Sequence, residues 1–216
     1  VYGLYLKLFV NLFAETINNG ICVNDKGERF TDEGQTYVQM SRDVAAMTKA
    51  NWAYMIVDQT GHDVPILAND WESYKRTKAP VYVGQTLDEA AEKAGLPIDA
   101  VKATVKAYNE AIAAGKGKTL TPVNTLPKAR TVEKAPFYIV PFQGGMTATF
   151  GGPLINVKGQ VLDTENHVID GLFAIGNAAG GLFYDNYIGG AQLTSAAVYG
   201  IVVADFVKAA KTPAGK

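Results

Sequence analysis

The stretch GLFAIGNAAGGLFYDNYIGG (171–190), followed by AQLTSAAVYGIVVADFV (191–207), decides the fold of this chain. It reads as a buried strand over 172–175, a glycine-rich loop, and a helix that opens after the pair Gly189-Gly190. A helix start leaves its first amide N–H groups unpaired and carries a partial positive charge. Glycines at that point let the backbone approach a ligand bearing an anion or a polarised carbonyl. The order strand, loop, helix therefore describes a cradle for a small molecule. The same order also occurs as plain packing in α/β proteins, and at this point both readings stand.

Working outward, 216 residues with 48% hydrophobic and 19% charged content describe a globular chain of one large domain or two small ones. Twenty basic against 21 acidic residues, net charge −1, argue against a nucleic-acid surface or a polybasic membrane anchor. Asn11, Glu15 and Asp205 interrupt the longest apolar runs, so no membrane span is expected. The single cysteine, Cys22, excludes an internal disulfide and any multi-cysteine metal or iron–sulfur site, and no metal centre is expected. Val1 begins the chain abruptly within the apolar segment VYGLYLKLFVNLF (1–13), as expected for part of a longer protein.

Upstream, GICVNDKGERFTDE (20–33) has the pattern of a hairpin turning at Asp25-Lys26-Gly27. A helix is expected to start at the N-cap Ser41, WAYMIVDQT (52–60) to be a buried strand centred on Ile56 and Val57, and 61–80 to be loop with a short helix over 69–76. Thr86, with Glu89 at the capping-box position and Gly95 as the stop, bounds one helix. Ile98, Val101, Val105, Tyr108 and Ile112 line one face of the next, and the two helices are expected to form a small helical lobe. After a linker at Pro122 and Pro127, FYIVPF (137–142) is a strand leading into the Gly/Thr-rich turn GGMTATFGGPLIN (144–156).

The order and spacing of these motifs resemble the C-terminal half of the fumarate reductase and 3-ketosteroid dehydrogenase flavoprotein superfamily. They are GICVNDKGERFTDE, the AVKATVKAYNEAIAAGK helix, APFY, TFGGPLINVKGQVLD, VIDGLFAIGNAAGG and the YIGGAQLTSAAVYG helix. The resemblance implies an α+β chain. A substrate-capping domain with a mixed sheet and helices, residues 1–140, is joined to the C-terminal part of an α/β FAD-binding domain, residues 141–216. That second part lacks the N-terminal dinucleotide-binding βαβ unit with its GxGxxG turn. FAD retention is thus a property of the full-length parent, and the isolated chain is expected to be inactive.

The resemblance also assigns roles. Four places after Glu33 of the R-F-x-x-E motif, where soluble fumarate reductases carry a proton-delivering arginine, this chain has Tyr37; Arg42 lies about one helical turn on. In NYIGG, Tyr187 stands where a carboxylate-gripping arginine is expected, and Gly190 offers a backbone N–H beside it. Thr147 and Ala148 occupy the place of a substrate-binding histidine, and Asn18 that of a relay arginine. Lacking these, the chain is not expected to take fumarate. Gly151 and Gly152 are expected near the isoalloxazine, Gly176 and Asn177 near the ribityl or ribose region, and Gly189, Gly190, Gln192 and Leu193 at the helix start facing the pyrimidine carbonyl. His62 and His167 read as solvent-exposed structural residues.

The function expected is that of an FAD-dependent oxidoreductase acting on a carbon–carbon single or double bond next to a carbonyl. Hydride moves through the flavin, the proton through a tyrosine, and the partner is an unsaturated or carbonyl-containing small molecule. Two alternatives stay open: a carboxylate-specific reductase using Arg42 or Arg76, and a non-catalytic remnant that binds a ligand or partner.

Overall fold

The computed structural model describes residues 18–47, 52–144, 149–184 and 188–211. They fall into two units that divide between Gly145 and Met146.

The larger unit is built on an antiparallel sheet of β1 (Ile21–Val23), β2 (Trp52–Asp58), β3 (Tyr82–Gly84) and β4 (Phe137–Gln143), in the order β1-β2-β4-β3. The spine is β2 against β4, from Trp52 opposite Gln143 to Asp58 opposite Phe137. Pro141, which has no N–H to give, is tolerated because β3 pairs only with residues 137–139 and leaves that edge of β4 open further on. The sheet is antiparallel throughout rather than mixed. The expectation of a mixed sheet fails because every neighbouring pair has opposed register.

Helices cover both faces. Cys22, Met55, Val57, Val140 and Phe142 point to one side, where α1 (Tyr37–Met47) and α3 (Ala68–Thr77) bring Met40, Val44, Trp71 and Tyr74. Ile21, Val23, Ile56 and Ile139 point to the other, against Ala90 and Ala91 of α4 (Leu87–Ala94) and Val101, Val105 and Tyr108 of α5 (Ile98–Ala113). Burial on both faces is why β2 reads as a continuous apolar run, each fully covered Val or Ile contributing about 1.5–3 kcal/mol. It also corrects the expected helical lobe: α4 and α5 lie on the sheet, because two helices alone would leave that apolar stripe uncovered.

Local signals hold where partners are close in sequence. Thr86 Oγ1 accepts from Glu89 N at 3.1 Å, Glu89 Oε2 accepts from Gln85 N at 2.8 Å, and Gly95 ends α4 at φ +70. The turn after β1 is closed by Asn24, whose Oδ1 accepts from Lys26 N and Glu28 N at 2.9 Å. Its return arm makes only a single bridge, Val23 to Arg29, and β1 pairs instead with β2. Helix α1 starts at Tyr37, not at Ser41: Thr36 Oγ1 caps it by accepting from Gln39 N at 3.3 Å, while Ser41 is buried within it. The expected loop over 61–80 is largely helical, with α2 (Gln59–His62), a 3-10 turn at Pro65–Leu67, and α3.

The smaller unit contains an antiparallel hairpin, β5 (Gln160–Leu162) and β6 (Val168–Phe173), and the helix α6 (Ala191–Lys211). The strand expected to be buried is exposed, with Leu172 at 47%, because it belongs to a two-stranded hairpin whose core consists of Val161, Ala174 and Ala179 with Ile155. The expectation of no membrane-length segment is also corrected. Ala191–Ala210 is long and apolar enough by length and composition, since Asp205 and Lys208 do not outweigh its Val, Ile and Ala content.

Candidate functional site

In the smaller unit, two glycine loops cross. A Cβ on Gly152 would lie 2.3 Å from Ala178 O and 2.8 Å from Gly180 N, so only glycine permits the approach. Gly180 N donates to Pro153 O at 3.0 Å and Thr149 Oγ1 to Asn177 O at 2.7 Å, which ties the crossing. Gly176, at φ +57, opens the 3-10 turn Gly176–Ala178 and packs against Ala196 of α6, whose Cβ would be 3.2 Å from an added one. Gly152, Gly176, Asn177 and the start of α6 thus form one cluster.

At that helix start Gly190 has φ +83, and its carbonyl accepts from Thr194 N at 3.0 Å. Gln192 is 6% exposed, and among the described residues its Oε1 has no hydrogen-bond partner. A buried amide oxygen left unpaired costs about 1–3 kcal/mol, and an N–H donor presented by a ligand would satisfy it. A Cβ on Gly151, Gly189 or Gly190 would meet nothing within 4 Å, whereas Leu193 is 78% exposed. The donor set fits a cofactor that presents N–H and carbonyl groups to a helix start. Among the described residues, no group of His, Cys, Asp and Glu is placed to hold a metal.

In the larger unit the R-F-x-x-E motif forms a buried clamp. Arg29 Nε donates to Glu33 Oε1 at 3.0 Å, Nη2 donates to Oε2, and Nη1 donates to Pro122 O at 2.6 Å. Glu33 further accepts from Cys22 N at 3.1 Å and Asn124 Nδ2 at 3.0 Å; the pair's side chains are 5% and 0% exposed. Burial, then the nearby Glu33, pushes the Cys22 thiol and the Tyr108 phenol upward, so both keep their protons at neutral pH.

Helix α2 forms a second cluster. The His62 ring stacks on Trp71 and on Tyr138, with centroids at 4.6 and 4.3 Å and those two rings 5.7 Å from each other, and its Nδ1 lies 3.0 Å from Asp63 Oδ1. Tyr138 Oη donates to Gln59 Oε1 at 2.8 Å, Gln59 Nε2 donates to Asp63, and Trp71 Nε1 donates to His62 O at 3.0 Å. Hydrogen bonds from Gln59, then His62, hold the Asp63 carboxyl below the usual carboxylate range. Its contribution to folding is therefore present above that range and lost as the pH falls through the lowered value. Asp58 caps α2 by accepting from Gly61 N at 2.8 Å. His62 is thus no loop histidine, with its side chain 25% exposed, whereas His167 is exposed at 73%. Its sequence signal was the polar set Gln59, His62 and Asp63 directly after a buried strand.

Of the residues singled out in the sequence, Arg42 is exposed on α1, and Tyr37 is the first residue of that helix, its side chain outside the described set. Tyr187, Thr147 and Ala148 also lie outside the described residues.

The chain is 32% identical over 191 residues to an NADH:acrylate oxidoreductase of Vibrio harveyi, covering 87% of this chain and 18% of that protein. It is 29% identical over 189 residues to a urocanate reductase of Eggerthella lenta, covering 86% and 30%. The open conformation of a flavocytochrome c3 fumarate reductase superposes with a TM-score of 0.75 at 27% identity, over 94% of this chain and 35% of that one. The chain therefore spans less than a third of the length of these two curated relatives. Residues 17–193 match the family described as FAD binding domain, and the chain belongs to that family, among its fumarate reductase-like flavoproteins.

Proposed function

We propose that this chain forms the cap and the last flavin-facing segment of an FAD-dependent enzyme that reduces a carbon–carbon double bond conjugated to a carbonyl or carboxyl group. The observation that carries the reading is the orphaned, buried Gln192 Oε1 at a helix start beside crossed glycine loops, in a chain of the FAD binding domain family. The relatives that act on acrylate and urocanate by name suggest the substrate class, an activated alkene.

Gln192 accepts an N–H of the cofactor, and the N–H groups at the start of α6 face its carbonyl side. Gly151 and Gly152 give the ring system backbone to lie against, while Gly176 and Asn177 serve the ribityl side. Bound FAD supplies the hydride. The residues of this chain supply the rest: Tyr187 and the Gly190 N–H hold the substrate's carbonyl, Thr147 lines the same place, and a side chain of the cap gives the proton, with Tyr37 and Arg42 the candidates that the resemblance names. Fumarate itself is disfavoured, because its two carboxylates would need the arginines and the histidine that the resemblance finds replaced at 187, 18 and 147–148.

The whole protein is expected to purify with a visible flavin band, and Gly152→Ala to lose most of it. The added methyl must displace the 178–180 backbone on which Gly176 and Asn177 are mounted. A colourless whole protein would remove the enzyme reading in favour of a ligand-binding remnant. Full flavin content in Gly152→Ala would remove the cradle from it.

A further inference from the structure

We propose that the loop closing α5 forms a binding site for a small polyphosphate, a molecule carrying two or three linked phosphoryl groups. The inference stands independently of the flavin reading and lies wholly within the larger unit. The stretch GKGKTLTPVNTLPKARTVEK (115–134) holds five of the chain's 20 basic residues and one of its 21 acidic ones, in a chain whose net charge is −1. Folding gathers that charge into a concavity. Lys116, Lys118 and Lys128, with Thr119, Leu126 and Pro127, line a cavity of about 640 Å³, the size of a small-molecule site, and no carboxylate lines it. Among the described residues the three ammonium groups have no ion-pair partner, whereas Lys75, Lys93, Lys102 and Lys106 each face a carboxylate at 2.6 to 3.9 Å.

The wall is held in place by the protein's own bonds. Gly117 O accepts from Leu120 N at 3.2 Å and from Asn124 N at 3.0 Å. Buried Asn124 in turn donates to Glu33 at 3.0 Å and accepts from Leu126 N at 3.1 Å. Asp32 is spent on Thr125, accepting from its N at 2.9 Å and its Oγ1 at 2.7 Å. The last carbonyls of α5, which would repel an anion, are taken by amides of the same turn: Glu110 O by Ala114 N, Ala111 O by Lys116 N at 2.7 Å, and Ile112 O by Gly115 N at 3.0 Å.

Charge sets the class of ligand. A phosphoryl group brings about 1.5–2 negative charges and three acceptor oxygens, so two linked groups balance three ammonium ions, where one carboxylate leaves two of them unbalanced. Lysine binds phosphate as a point charge, without the planar fork that selects a carboxylate. The positive charge lies in a concave loop and not along a stripe, which suits a small molecule and not a nucleic acid. A second cavity shares Ile112 and Ala129 and adds Arg130 and Lys134, opposed by Glu133; Asp58 there is already committed to three backbone N–H groups.

The test uses the whole protein with inorganic tripolyphosphate as the probe, followed by titration calorimetry. Saturable binding is expected, weakened about tenfold or more when salt is raised from about 50 to about 500 mM. Lys116→Gln, Lys118→Gln and Lys128→Gln are each expected to weaken it by about fivefold, and the three together to abolish it. The control variant Lys75→Gln, Lys102→Gln and Lys106→Gln removes the same charge from exposed positions elsewhere in the unit, and is expected to bind within about twofold of the parent. Amide exchange over 115–130 is expected to slow when the probe is added. No saturable binding, equal weakening in both triple variants, or unchanged exchange over that stretch overturns the site. Sedimentation with vesicles containing phosphatidic acid that tripolyphosphate does not reverse would give the charge to a membrane surface and overturn it too.

Discussion

Arg29→Met is expected to lower the stability of the cap by about 3–5 kcal/mol, because it leaves Glu33 ionised and unpaired where its side chain has no exposure. The Cys22 and Asn124 donors remain, but they are neutral N–H groups and do not balance the charge. The carbonyl of Pro122 loses its 2.6 Å partner as well, so the linker after α5 is released together with the segment between β1 and α1. For a chain of this size such a loss lowers the melting temperature by roughly 6–20 °C. The double variant Arg29→Met with Glu33→Leu is expected to recover much of it, since apolar groups in place of a buried ion pair remove the desolvation cost along with the attraction. Thermal unfolding of the three proteins checks this; a double variant less stable than the single one would show that other contacts of the Arg29 and Glu33 side chains, such as the Arg29 guanidinium carbon 5.4 Å from the Tyr108 ring centroid, matter more than the ion pair.

Asp58→Ala should be nearly as damaging, and for a different reason. Asp58 is 3% exposed and accepts from three backbone groups, Gly61 N at 2.8 Å, Glu133 N at 3.0 Å and Lys134 N at 2.9 Å. Without the carboxylate these N–H groups lose their acceptor, at about 1–3 kcal/mol for each that water cannot reach. The expected total is about 3 kcal/mol, including the lost N-cap. Because α2 is a single turn, its geometry depends on that cap, and His62 and Asp63 move with it. Amide hydrogen exchange at Gly61, Glu133 and Lys134 is expected to speed up together in Asp58→Ala and partly in Asp58→Asn, which keeps one acceptor oxygen. Unchanged exchange at all three would mean that other acceptors replace the carboxylate.

What the sequence made legible follows the range of the interactions. Thr86, Glu89 and Gly95 define α4 through partners within a few residues, so its bounds could be read directly. Ser41 looked an equally good cap, but burying Met40 and Val44 on the sheet, with Val38 also buried nearer the start, extends the helix back to Tyr37 and leaves Thr36 to cap it. The loop expected after Gly61 is helical because Trp71 and Tyr74 of α3 join the core beside Val140 and Phe142, strand residues far along the chain. The same distance hid His62, whose character is set by Tyr138 and Trp71, while its immediate neighbours are polar. In the smaller unit, glycine spacing pointed to the cradle. The crossing of Gly152 with Gly180 and the burial of Gln192 depend on residues brought together by folding.

The stacking of His62 on Trp71 gives this protein a built-in optical gauge. A protonated imidazole in contact with an indole quenches its emission, so Trp71 fluorescence is expected to dim as the ring gains its proton and brighten as it loses it. The chain's other indole, Trp52, can be silenced by Trp52→Phe, leaving a single emitter in contact with the His62 ring. The charge state of that ring would then be visible in real time, in a stopped-flow pH jump, without any label or added reporter.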